Sequence, residues 1–252
     1  MAKRLQTAAF VGVDGLGLEA SSLVVEINRA GIPTDSVVDY SAQDLSINTG
    51  PSSTMVLDMD GAQGELLKAS GNLTVDAFGF MRLTGDLNLT KSTGSVKLAD
   101  LASTTGVDES APAGVVDQLL IGGNGLSAFA GINGGSNDPT GLNLTGVNFA
   151  LAIQTEKNPT APALAREWTA VKASATGANF VGVSGLTVSA TAIDIAITRK
   201  ATDNTLVDYN AQNLAVQTSA TATPSTMLLD LAANLGEVTR ASGNLTIDAF
   251  GF

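Results

Sequence analysis

Apolar residues alternate with polar ones in short runs along most of the chain, and the runs share one form. Leu16-Leu18-Ala20 is followed by Leu23-Val25-Ile27, Leu142-Leu144-Gly146 by Phe149-Leu151-Ile153, and Leu186-Val188-Ala190 by Ile193-Ile195-Ile197. A period of two predicts strands with one buried face. The three-residue step from Ala20 to Leu23, or from Ala190 to Ile193, breaks the alternation and predicts a bend or bulge. The expected fold class is therefore all-β, a repetitive β-solenoid-like stack of kinked strands, because a solenoid corner bends a strand while keeping one face inward. Polar segments at 91–95, 156–160 and 199–204 read as turns or hairpins and keep an alternative open, an antiparallel β-meander sandwich or barrel. Aromatic-glycine elbows are expected at 77–80, 128–131 and 179–182, and all seven prolines fall between predicted strands.

The pattern repeats on a longer scale. Phe10-Val11-Gly12-Val13-Asp14-Gly15-Leu16 returns 170 residues later as Phe180-Val181-Gly182-Val183-Ser184-Gly185-Leu186. Val38-Asp39-Tyr40 returns as Val207-Asp208-Tyr209, and the twelve residues 69–80 return as 241–252 with only Val75 changed, to Ile247. Residues 1–170 are read as a first repeat unit that starts mid-unit, and 171–252 as a partial second unit continuous with it. The chain is accordingly expected to be a slice of a longer tandem array, with neighbouring repeats as its partners and end-to-end self-association through uncapped edges.

Composition narrows the chemistry. With no Cys and no His, thiol and imidazole nucleophiles, Ser-His triads and the usual zinc sites are excluded. The net charge of −11 and the scatter of Lys and Arg speak against nucleic acid as a partner. No apolar run has the length of a membrane helix, so no membrane span is expected, and residues 1–6 lack the apolar segment of a signal peptide.

Each candidate site competes with a structural explanation. Asp58, Asp60 and Glu65, with Gly61 and Gly64 to turn the chain, offer clustered oxygen ligands for calcium, but the second copy keeps only Asp230 and Glu237, and a solvated hairpin explains the group better. The loop 133–139 reads as a plain turn in preference to a calcium loop. Asp76 with Asp86, or Asp39 with Asp44, are the carboxylate pairs a glycosidase would need, yet Asp39 and Asp76 recur as Asp208 and Asp248, which suits a structural position. Ser184 lacks both the nucleophile-elbow sequence and a His. The Asn-Leu-Thr sequons at Asn72, Asn88, Asn143 and Asn244 fit the strand grammar. Trp168, Tyr40 and Tyr209 read as a glycan platform or, more simply, as cross-strand packing.

The runs LLKASGNLTVDAFGF (66–80) and MRLTGDLNLTKSTGSVKL (81–98) resemble the Gly-Asp/Asn-Leu-x-Leu grammar of large bacterial tandem-repeat surface and secreted proteins, filamentous-haemagglutinin-type adhesins among them. The resemblance spans roughly half of the chain. It implies a non-enzymatic structural segment of an acidic, adhesin-like protein at the cell surface or outside the cell. The functional alternatives are a calcium- or surface-glycan-binding β module and, behind it, a polysaccharide-acting enzyme.

Overall fold

The computed structural model describes residues 3–10, 16–32, 36–77, 80–99, 112–134, 136–157, 159, 165–219 and 225–250. In chain order its strands are β1 (Lys3–Phe10), β2 (Leu16–Asn28), β3 (Leu45–Gly50), β4 (Ser53–Leu57), β5 (Leu66–Ala77), β6 (Met81–Lys97), β7 (Pro112–Ile132), β8 (Thr140–Glu156), β9 (Glu167–Val181), β10 (Leu186–Arg199), β11 (Leu214–Gln217), β12 (Thr226–Leu229) and β13 (Thr239–Ala249). The only helical pieces among the described residues are two 3-10 turns, Gly61–Gln63 and Ala233–Leu235. The chain is all-β.

Nine strands form a single sheet in the order β1-β2-β5-β6-β7-β8-β9-β10-β13, and each pairs antiparallel with its neighbours. This is a large antiparallel meander with β1 and β13 at its edges. Two excursions leave it. The first insert, 29–65, carries the β3–β4 hairpin, and the second, 200–238, carries β11–β12.

The kinks expected from the three-residue steps are bulges within strands. Register shifts fall between Ser21 and Val24 in β2 and between Thr191 and Asp194 in β10. Ser22 and Ala192 take left-handed backbone there, φ 54° and 51°, a conformation that costs a side-chain-bearing residue free energy and persists where the surrounding ladder over-determines it. Comparable bulges crease the middle of β6 and β7. Leu126 is fully buried in that crease, and glycines make the room: a Cβ on Gly85 would stand 2.8 Å from Leu126 Cα, and one on Gly123 2.4 Å from Leu126 Cδ1.

Pairing repeats with the sequence. Leu16↔Ala77, Ser21↔Asn72 and Val24↔Ser70 between β2 and β5 recur as Leu186↔Ala249, Thr191↔Asn244 and Asp194↔Ser242 between β10 and β13. Likewise Lys3↔Val25 and Leu5↔Leu23 recur as Ala173↔Ile195 and Ala175↔Ile193. Three positions depart from the sequence reading. Residues 91–95 are not a turn but lie inside β6, the elbow expected at 128–131 lies inside β7, and 179–181 of the elbow expected at 179–182 lie inside β9. Residues 78–79 of the elbow expected at 77–80 lie outside the described residues. At all three places neighbouring strands long enough to pair carry the ladder through residues that favour turns in isolation. Pro112 opens β7, where an N–H is least needed.

The core lies on one face of the sheet, beneath the second insert. Val96, Val116, Leu120, Ala150, Ala152 and Trp168 pack there against Val207, Tyr209, Val216 and Leu229. On the opposite face alternation presents Leu87, Leu89, Ile121, Leu151, Ile153, Val171, Ile195 and Ile197, all half-buried.

Candidate functional site

The second insert is a closed cover. Its start is sewn to the end of β6 by Asp208 N–H to Lys97 O (2.8 Å), Ala99 N–H to Leu206 O (2.9 Å) and a bridge between Leu98 and Val207. Its hairpin lies across β7, β8 and β9. Gly122 permits this contact: a Cβ on it would stand 2.1 Å from the Gln217 carbonyl.

Polar groups under the cover are matched. The Tyr209 hydroxyl donates to Gln154 Oε1 (2.7 Å), Gln154 Nε2 to Gln118 Oε1 (3.4 Å), and Gln118 Nε2 to Ser92 Oγ (3.1 Å). This ladder crosses β8, β7 and β6, and burial pushes the Tyr209 phenol well above its ordinary range. Trp168 Nε1 donates to Thr205 O (3.1 Å) and Thr205 Oγ1 (3.2 Å). Arg166 lies 5.2 Å above the indole ring and grips Glu156 with two donors, Nε to Oε2 at 3.0 Å and Nη2 to Oε1 at 2.8 Å. Those bonds hold the Glu156 carboxyl below its usual value and the Arg166 guanidinium above its own. At the rim, Lys172 Nζ reaches Asp230 Oδ1 at 2.8 Å.

The first insert has the same sequence plan and a different environment. Val207 is 4% exposed and its counterpart Val38 is 57% exposed. Tyr40 is half-buried beside Leu57, Met59 and Leu66, and Ile47, the counterpart of buried Val216, faces solvent. The reason is positional. The second insert has β7, β8 and β9 before β10 to lie on, whereas among the described residues only β1 precedes β2.

Between the inserts runs a groove of about 440 Å³. Lys68, Thr90, Ser92 and Gln118 supply polar groups from the sheet, Asp58, Asp60 and Gln63 line it from the first insert, and Leu214 and Gln217 from the second. Lys68 Nζ is paired with Glu26 at 3.3 Å.

The sequence candidates fall as follows. Asp58 and Asp60 both line the groove, and Glu65 lines a smaller neighbouring depression with Arg29 and Lys91. Asp60 Oδ1 caps the 3-10 turn by accepting from Ala62 N–H at 2.8 Å. Asp39 Oδ1 accepts from Ser41 Oγ (2.7 Å) and Gly61 N–H (3.1 Å), which lower its pKa. Among the described residues no three carboxylates gather closely enough to hold a metal ion. Asp86 sits opposite Asn72, whose Nδ2 donates to it at 3.0 Å. Asp76 lies four residues along β5 from Asn72, about 13 Å at strand rise, too far for paired carboxyl catalysis. In the 133–139 loop, Ser136 bonds Asn133 O and Asp138 N–H bonds Ser136 Oγ, a turn that satisfies itself. Trp168 and Tyr209 are buried packing residues, out of reach of a glycan. The Gln154–Gln118–Ser92 ladder escaped sequence reasoning because its members are far apart in the chain and nothing local marks them.

No family model, curated protein or solved structure matches this chain.

Proposed function

We propose that the chain is a non-enzymatic scaffold, a repeat segment of a large bacterial adhesin-like protein at the cell surface or outside the cell. One observation carries this reading: equivalent strands of the two repeat copies stand in the same sheet with the same register, down to the bulges at Ser21/Val24 and Thr191/Asp194. A sheet that reproduces its own pairing from copy to copy lengthens by addition, each unit covering apolar area that its neighbour leaves open. Its six strands per unit keep every insert on the same face. On this reading a longer array coils into a solenoid-like body with the half-buried Leu, Ile and Val face inward. The acidic surface holds such bodies apart.

The test is a lengthened chain in which Met81–Phe252 is appended after Phe252, the residue equivalent to Phe80. The long dimension by small-angle scattering is expected to grow by at most about 29 Å per six added strands, less as the sheet coils, with a single, higher-melting transition. Added residues that unfold separately, or leave the dimension unchanged, defeat the scaffold reading.

A second reading, a glycan-binding module, is favoured by the groove, whose hydroxyl and amide groups suit neutral sugar and whose volume falls in the usual ligand range. Titration with neutral oligosaccharides, read by chemical shifts of Thr90, Ser92 and Gln118, decides it.

A further inference from the structure

The outer edge of β13 is the place where the chain holds its own template for a partner. Residues 241–249 repeat 69–77 of β5 with one change, Val75 to Ile247. β5 is paired on both sides, with β2 and with β6. β13 is paired with β10 in the register of β2 with β5, and its other side carries no strand among the described residues. Leu73 and Val75 are half-buried, while their counterparts Leu245 and Ile247 are 66% and 62% exposed. The strand lacks the devices that blunt a sheet edge: it has no proline and no lysine, and its one basic residue is Arg240 near its start.

We infer that this edge is a strand-acceptor site whose occupant is an extended polypeptide of the β6 kind, reading Met-Arg-Leu-Thr-Gly-Asp-Leu-Asn-Leu. The β5–β6 ladder sets the register. Ala69↔Leu89, Gly71↔Leu87, Leu73↔Gly85 and Val75↔Leu83 become Ala241, Gly243, Leu245 and Ile247 opposite Leu, Leu, Gly and Leu of the incoming strand. The Gly-Asp step has a specific use. Gly85 is the register partner of Leu73, and Asp86 accepts from Asn72 Nδ2, a bond that Asn244 is placed to repeat. Main-chain bonds supply affinity and the alternating leucines supply specificity, as in other strand additions. A second copy of this chain is a poorer occupant, because its β6 is already paired on both sides. The inference deepens the scaffold reading, on which its biological sense rests, by naming the sequence that extends the sheet.

The experiment is amide hydrogen exchange on the full chain with a synthetic peptide of residues 81–97, and on a chain carrying the same segment appended after Phe252. Exchange within 239–249 is expected to slow at least tenfold in both, while β3–β4 is unchanged. Ile247→Lys, at an exposed position, should abolish the peptide's effect without altering the melting curve. A scrambled peptide that protects equally well, or no protection from either the free or the appended segment, overturns the inference. So does a concentration-dependent dimer that already protects β13 without peptide. Protection without lengthening of the extended chain in scattering would leave the acceptor edge standing and remove the scaffold.

Discussion

Tyr209 is 2% exposed, and its hydroxyl ends in a 2.7 Å hydrogen bond to Gln154 Oε1 near the end of β8, joining the second insert to a strand 55 residues earlier. Its counterpart Tyr40 sits half-exposed, and among the described residues no such strand lies beneath it. One residue type in one repeat position therefore has two energetic roles.

Replacing Tyr209 with Phe strands the Gln154 acceptor in a dry site and is expected to cost about 1–3 kcal/mol. Tyr40→Phe, where water reaches the ring, is expected to stay within about 0.5 kcal/mol. Urea denaturation of both variants measures the contrast, and equal losses would refute the account of the covered and uncovered inserts.

Acid should loosen the Glu156–Arg166 clamp. The folded carboxyl titrates below its ordinary 4.5 because Arg166 donates to it, so the folded state binds fewer protons than the unfolded one. Its contribution is present above pH 4.5 and is lost as pH falls through the folded value. Glu156→Gln should flatten the stability profile in that acid window and nowhere else.

Alkali should act through Tyr209. Its folded pKa is raised above 10.0 by burial, so the unfolded state releases its proton first and stability falls as pH climbs past 10.0 toward the folded value. Tyr209→Phe should remove that part of the alkaline decline, and an ultraviolet titration should show this phenol ionising only as the chain unfolds.

Gly122→Val places a side chain where the Gln217 carbonyl lies and should lift the β11–β12 hairpin, costing about 1–3 kcal/mol by overpacking. Trp168 is the single tryptophan and is buried under this cover. Its emission should shift to the red while the far-ultraviolet β signal persists.

Calcium at millimolar concentration is expected to leave the melting temperature in place. Asp60 Oδ1 is already engaged by the Ala62 amide, and Asp58, Asp60 and Glu65 are not gathered as a cluster. A calcium-dependent rise abolished by Asp60→Asn would restore the loop as a site.

The β class, the repeat and the bulges at 20–23 and 190–193 were legible in the sequence, because a period of two and its interruption are local properties of backbone geometry. Repeated residues in repeated positions also announced the equivalence of Tyr40 with Tyr209 and of 69–77 with 241–249. Strand partnership was not local. The same kinked, one-sided strands satisfy a parallel rung or an antiparallel meander, and only the ladder itself showed that every pairing is antiparallel, with β2 reaching past the first insert to β5 and β10 past the second to β13. Tertiary structure alone also carried strand through residues 91–95 and assembled Gln154, Gln118 and Ser92 into one network. It buried Val207 while leaving Val38 in water. Burial depends on which surface lies opposite, and for these two inserts the difference lies in the strands beneath them.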